Sequence, residues 1–195
     1  MSKLKSLLFL FTLTSIFISV GCKKDNKTPD NKKATPVDTT SNLYDFTIHG
    51  GHFDGQKFSG KMEALPSAHT TSKVFFLNKT SDIIEIKTFL TNDNDLSITC
   101  YMLYDKSTKM VQPLGSMNDS TKSNLNILFL EYSSSGLRNY FSQSGTISIS
   151  NVHIVDDMID GGHIGFQLAF DGTFNNYVDG DVEISGSMLV RLPHK

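Results

Sequence analysis

The stretch DVEISGSMLVRL, residues 181 to 192, sets the tightest limit on what this chain can fold into. Val182, Ile184, Met188 and Val190 fall on one side of an extended backbone, opposite Asp181, Glu183, Ser185 and Arg191. Successive side chains of a strand point to opposite faces, so this spacing makes one dry face and one wet face. The same alternation runs through Tyr44, Phe46 and Ile48 in LYDFTIH and through Phe166, Leu168 and Phe170 in HIGFQLAFDG. It recurs in LSITCYMLY, where Leu96, Ile98, Cys100, Met102 and Tyr104 share a face, and KVFFLN, DIIEIKTFL and GTISISNVHIV are further strand candidates. In GTISISNVHIV the alternation slips near Ser150 and Asn151, which predicts a β-bulge. NLNILFLEY is apolar on both faces from Ile127 to Leu130, the pattern of a central strand covered on both sides.

Turn chemistry separates these runs. Asp54-Gly55, between Phe53 and Phe58, signals a hairpin. Asn92 to Asp95, Ser133 to Gly136 and the stretch from Asp156 to Gly162 connect the others. Nine or ten short strands at regular spacing predict an all-β fold, an antiparallel β-sandwich, with a lipocalin-like β-barrel as the alternative. The 153 residues from 43 to 195 suffice for a single all-β domain with its own core. With no Trp and 14 Phe in the chain, phenylalanine is expected to fill much of it.

The first 42 residues are of another kind. Lys3 and Lys5 precede an apolar run from Leu7 to Val20, too short to span a bilayer and placed where a signal peptide stands. Residues 1–21 are therefore read as a signal peptide. Val20-Gly21-Cys22 resembles the end of a bacterial lipobox, in which the cysteine receives a diacylglyceryl thioether; Ser19 stands where such motifs usually carry Leu. Ser19-x-Gly21 also satisfies ordinary signal peptidase, which would cut the same bond and leave a secreted protein with a free thiol. Residues 23 to 42 hold five Lys, three Asp, two Pro and four Thr, with no aromatic, Leu or Ile. Such a segment buries too little apolar surface to order itself. Residues 22–42 read as a lipidated cysteine and a flexible polar tether reaching about 25 Å. In lipoproteins an Asp after the cysteine is the usual inner-membrane retention signal; Lys23 at that place implies the outer membrane, with the periplasmic and surface faces both open.

Charge and chemistry narrow the activity less. Residues 43–195 carry 11 Lys and Arg against 17 Asp and Glu, a balance that argues against nucleic acid. With Cys22 acylated, Cys100 is a lone cysteine on an apolar face, the position of a small core hydrophobe. His49-Gly50-Gly51-His52 offers two weak candidate metal ligands, which His153 and His163 could supplement, yet no Cys or carboxylate pattern completes a zinc set. Asp156, Asp157 and Asp160, with Asp179, Asp181 and Glu183 on one strand face, supply oxygens that calcium prefers, but match no calcium loop. Gly55 to Lys61 approaches a P-loop, except that Met62 stands where a Ser or Thr must hold the magnesium ion. Tyr101, Tyr104, Tyr132, Tyr140 and Tyr177 would stack on sugar rings if they were exposed together. No catalytic residue and no cofactor follow from these patterns.

FDGQKFSG, SGTISIS, AFDGTF and VEISGSMLV together bracket most of residues 43 to 195. In these pieces the chain resembles the small uncharacterised β-sandwich lipoproteins of Gram-negative outer membranes. The resemblance implies fold and location and brings no catalytic residues. The function expected is that of a lipid-anchored cell-envelope lipoprotein, a non-catalytic binding or accessory module for a glycan or an envelope protein partner. The alternatives are an envelope polysaccharide hydrolase using two carboxylates from different strands and a lipocalin-like carrier of a lipid or other small apolar ligand.

Overall fold

The computed structural model describes residues 40–63, 71–76, 82–91, 96–129, 138–155 and 162–192. Among them the chain forms eleven strands and no helix. In chain order these are β1 (Ser41–His49), β2 (Lys57–Glu63), β3 (Thr71–Phe76), β4 (Ile83–Thr91), β5 (Leu96–Asp105), β6 (Met110–Val111), β7 (Leu114–Gly115), β8 (Asn124–Phe129), β9 (Arg138–Val155), β10 (Gly162–Asn176) and β11 (Gly180–Val190). They join in one sheet of order β2-β1-β11-β10-β3-β4-β5-β8-β9-β7, with β6 on β5 and a further ladder between β9 and β10. Every named ladder is antiparallel.

The fold is thus all-β, a single curled, barrel-like antiparallel sheet, which fits the barrel alternative rather than two separate sheets packed face to face. Curling follows from the length of β9 and β10. β10 pairs with β3 through Gly162 and His163, then on the same side with β11 from Phe166 to Asn176, while β9 runs along its other edge. β9 in turn gives its first residues, Arg138 to Phe141, to β8. The ladder path β10-β3-β4-β5-β8-β9 therefore comes back to β10, and β11, β1 and β2 continue the sheet from β10 and bury their inward residues in the same core.

The alternation read from the sequence is the alternation of the core. Phe46 and Ile48 on β1, the five even-numbered residues from Leu96 to Tyr104 on β5, Phe166, Leu168, Phe170 and Phe174 on β10, and Val182, Ile184, Met188 and Val190 on β11 point inward and join one hydrophobic cluster. Each such side chain stabilises by about 1.5–3 kcal/mol when fully buried, so the pattern outweighs any local preference of the intervening polar residues. Cys100 is buried in that cluster, and burial pushes its thiol up to about 12.

Four local differences have physical causes. The chain enters β1 at Ser41, two residues before the expected domain start. Ser41 and Asn42 are buried, and Asn42 Oδ1 accepts the backbone N–H of Arg191 at 2.7 Å. The Asp54-Gly55 turn is part of a longer connection, residues 50–56, because Phe53 folds inward from it onto Phe58 and Phe129. β8 alternates buried and half-buried residues, with Leu128 half-buried, so it lies centrally between β5 and β9 without full cover on its second face. Finally, RNYFSQS, which carries no clear alternation, is the start of β9.

β9 holds two irregularities. The expected bulge is present: the β9–β10 register shifts between Gly165 and Gln167, and Asn151 takes a positive φ of 52°. A second shift lies between Thr173 and Phe174, where Ser144 and Ser142 are the partners and Gln143 is the extra residue. Just beyond it, Gly145 and Gly172 face each other; a Cβ on Gly145 would run into the Asp171 carbonyl, and one on Gly172 into that of Ser144. Two glycines let the backbones meet this closely where the sheet bends.

Candidate functional site

At the pole of the domain where β10 turns into β11, the segment Asn176 to Gly180 is pinned from both sides. Asn176 Oδ1 accepts the N–H of Val178 at 2.8 Å and of Asp179 at 3.1 Å, while its amide donates to the Asn139 carbonyl. Asp179 points back into the domain. Arg138 Nη1 donates to both of its oxygens at 2.7 and 2.6 Å, and the Tyr140 hydroxyl donates to Oδ2 at 2.7 Å. The Arg138 and Asp179 side chains are only 6% and 9% exposed. The Arg138 guanidinium also lies 5.9 Å from the centroid of the Phe53 ring.

Burial works to raise the Asp179 carboxyl, but the hydrogen bonds from Tyr140 and Arg138, the Arg138 charge and a bond from the His52 backbone outweigh it. The carboxyl is held below its usual range. Burial first, and then donation to Asp179, pushes the Tyr140 phenol well above its usual range. The bond to Asp179 raises the Arg138 guanidinium further. At neutral pH the group is an Arg⁺–Asp⁻ pair with a neutral tyrosine.

This pinning explains HGGH. Gly50 and Gly51 have φ of 96° and 64°, and a Cβ on Gly51 would stand 2.8 Å from that of Asp179. The glycines carry the β1–β2 connection past Asp179 closely enough for the His52 backbone to bond it, while the His49 and His52 side chains are exposed. His153 and His163 lie elsewhere, on the β9–β10 ladder opposite Gly165 and Val155. Among the described residues no group of three or more His, Cys, Asp or Glu gathers as a metal site would require. Asp179 does not share a face with Asp181 and Glu183. It sits in the turn and faces Arg138, whereas the other two are exposed on β11 and accept from Asn175 and Thr173. Cys22, Asp156, Asp157, Asp160 and Tyr132 lie outside the described residues.

The turn held in this way presents Tyr177 and Val178 outward, 92% and 65% exposed. The Tyr177 ring meets the Phe141 ring edge-on at 68°, with centroids 6.3 Å apart. Beside them a cleft of about 400 Å³ is lined by Tyr177, Phe141, Gln143, Asn175 and the loop from Ser116 to Asn118. The bulge in β9 builds two of its walls. It turns Ser142 inward, where its hydroxyl donates to the Gly115 carbonyl at 2.8 Å and accepts the Leu125 N–H at 3.0 Å, fixing the root of the 116–118 loop. It turns the inserted Gln143 outward into the cleft. Bulges often re-aim side chains at functional sites.

The tyrosines considered together from the sequence are not exposed together. Tyr104 and Tyr140 are buried, and Tyr101 is half-buried beside Lys87. Tyr177 alone of the described ones stands in solvent. Its setting, NNYVDG, is a turn sequence, and an aromatic placed in a turn is the signal that marks it. Phe141, Gln143 and Asn175 carry no such mark. Comparison with family models, curated proteins and solved structures finds no match for this chain.

Proposed function

We propose that the protein is a lipid-anchored cell-envelope lipoprotein of the outer membrane, joined to the bilayer through Cys22. Its β domain serves as a non-catalytic binding or accessory module for a glycan or an envelope protein. The observation that carries this reading is the Tyr177 pole. A large aromatic side chain is left 92% exposed on a turn that a buried ion pair holds in place. Tyr177 and its exposed neighbour Val178, held on a fixed turn, support an interaction surface there. Met117, 53% exposed, extends the surface on the far side of the cleft.

Sequence supports the anchor: a short apolar leader, a cysteine at the cut site and a polar tether before Ser41. The carrier reading has less support, because the inward positions of the strands are filled by one packed cluster. The intact mass of the mature protein from a membrane fraction tests the anchor. Residues 22–195 plus acyl chains are expected; an unmodified chain in the soluble fraction overturns it. Co-purification from outer-membrane extracts, wild type against Tyr177→Ala, tests the module: failure of the wild type to enrich any glycan or envelope protein refutes it.

A further inference from the structure

We infer that the cleft beside Tyr177 is a saccharide subsite that takes a neutral pyranose ring, an inference that rests on reading the domain as an envelope binding module. A pyranose presents two kinds of surface, an apolar C–H face and a belt of hydroxyls that both donate and accept. Recognising it takes an aromatic ring open to solvent with uncharged donors and acceptors beside it. The cleft supplies both. The edge-on contact with Phe141 braces the Tyr177 ring and leaves it 92% exposed.

The polar groups are pre-oriented to unequal degrees. Asn175 lies directly opposite Phe141 in the β9–β10 ladder, and its Nδ2 donates to Asp181 Oδ1 at 2.7 Å. That bond fixes the amide plane and leaves its carbonyl oxygen and second N–H for a ligand. Gln143 Nε2 donates a longer bond to the Phe141 carbonyl, at 3.3 Å, which inclines the second amide toward the cleft without fixing it. Two amides thus offer an acceptor and a donor each beside the ring, and the shorter bond at Asn175 lowers the entropy cost of recognition there.

The lining sets the class of ligand. Ser116, Met117, Asn118, Phe141, Gln143, Asn175 and Tyr177 include no Lys, Arg, His, Asp or Glu. A phosphate, a uronate or a charged peptide would find no counter-ion here, and the nearby Asp181 would repel an anion. A neutral sugar loses nothing by that. The volume, about 400 Å³, falls within the range of small-ligand clefts.

The test is a screen of the mature chain in detergent against an array of neutral glycans, followed by titration calorimetry with the oligosaccharide that binds best. Saturable binding is expected. Tyr177→Ala should weaken it at least about tenfold, Tyr177→Phe should retain most of it, and Asn175→Ala should weaken it about three- to tenfold. Melting temperatures of the variants, expected to match wild type within a few degrees for Tyr177→Ala, separate lost contact from lost fold. Binding that is indifferent to Tyr177→Ala, or no binding to any neutral glycan, overturns the inference. If the array is blank while outer-membrane extracts yield a protein partner that Tyr177→Ala loses, the saccharide subsite falls and the binding module stands. If both are blank, both fall.

Discussion

The Arg138–Asp179–Tyr140 group is the residue-scale feature on which the pole depends. Removing one member of a buried pair leaves the other charged and unpaired, which typically costs about 3–5 kcal/mol. Asp179→Asn should therefore lower unfolding stability at neutral pH by about 3 kcal/mol, read from urea melts. The pH dependence has a fixed sign. The folded-state carboxyl lies below the ordinary value of 3.8, so its contribution is present in full above that value and drains away as pH falls through the folded pKa. The stability gap between wild type and Asp179→Asn should shrink steadily below about pH 4; a gap constant to pH 2 would show that the carboxylate charge is not what stabilises the turn. Cys100 gives a second prediction. With its thiol buried and raised to about 12, it should resist a thiol reagent at pH 8 in the native state and react at once in denaturant. Prompt native-state labelling would mean that β5 opens readily. Cys100 was legible as a core residue from its strand face. The ion pair was not, because nothing local joins Arg138 to an aspartate 41 residues away.

At the scale of elements, period-two alternation told most of the story, and it failed where a strand departs from that period. Ser150-Asn151 was visible as a bulge because apolar residues flank the slip on both sides. The bulge at Gln143 was hidden, since SQSG is small and polar throughout and leaves no alternation to interrupt. That hidden bulge is the one that aims Gln143 into the cleft, so the least legible stretch of β9 is the one that shapes the candidate site. The HGGH motif was legible as a turn and as nothing more; its purpose, passing close to Asp179, depends on a partner more than a hundred residues on. The neighbouring glycine pair makes a prediction. Gly172→Ala would press a methyl against the Ser144 carbonyl and Gly145 Cα, forcing β9 and β10 apart at their bend. Such overpacking should destabilise by about 1–3 kcal/mol and lower Tm by several degrees. Gly55→Ala, with open space around its Cβ, should lose less, mainly through its φ of 72°.

For the whole molecule, the ladders are very unequal. Among the described residues β10 and β11 share eleven residue pairs, whereas β10 and β3 share two, Gly162 with Val74 and His163 with Lys73. Opening should begin at the shorter seam. Hydrogen exchange should find the Gly162 and His163 amides among the first of β10 to exchange, and those from Phe166 to Phe174 among the last. Uniform protection along β10 would refute this. Fold class was legible because burial acts on every strand at once, and a barrel stood beside the sandwich as the alternative; the choice between them was not legible, because it depends on which edges of β9 and β10 meet which neighbours.

The pairing of the first strand with the last also sets a distance. Leu43 lies opposite Leu189, near the end of β11, while Tyr177 stands just before its beginning. Eleven residues of extended chain separate those two ends by a contour on the order of 30 Å. Whatever precedes Ser41 thus joins the domain at one pole, and the aromatic turn occupies the other. Within the domain the last strand is a spacer: it holds the aromatic turn a strand's length away from the edge at which the chain enters β1.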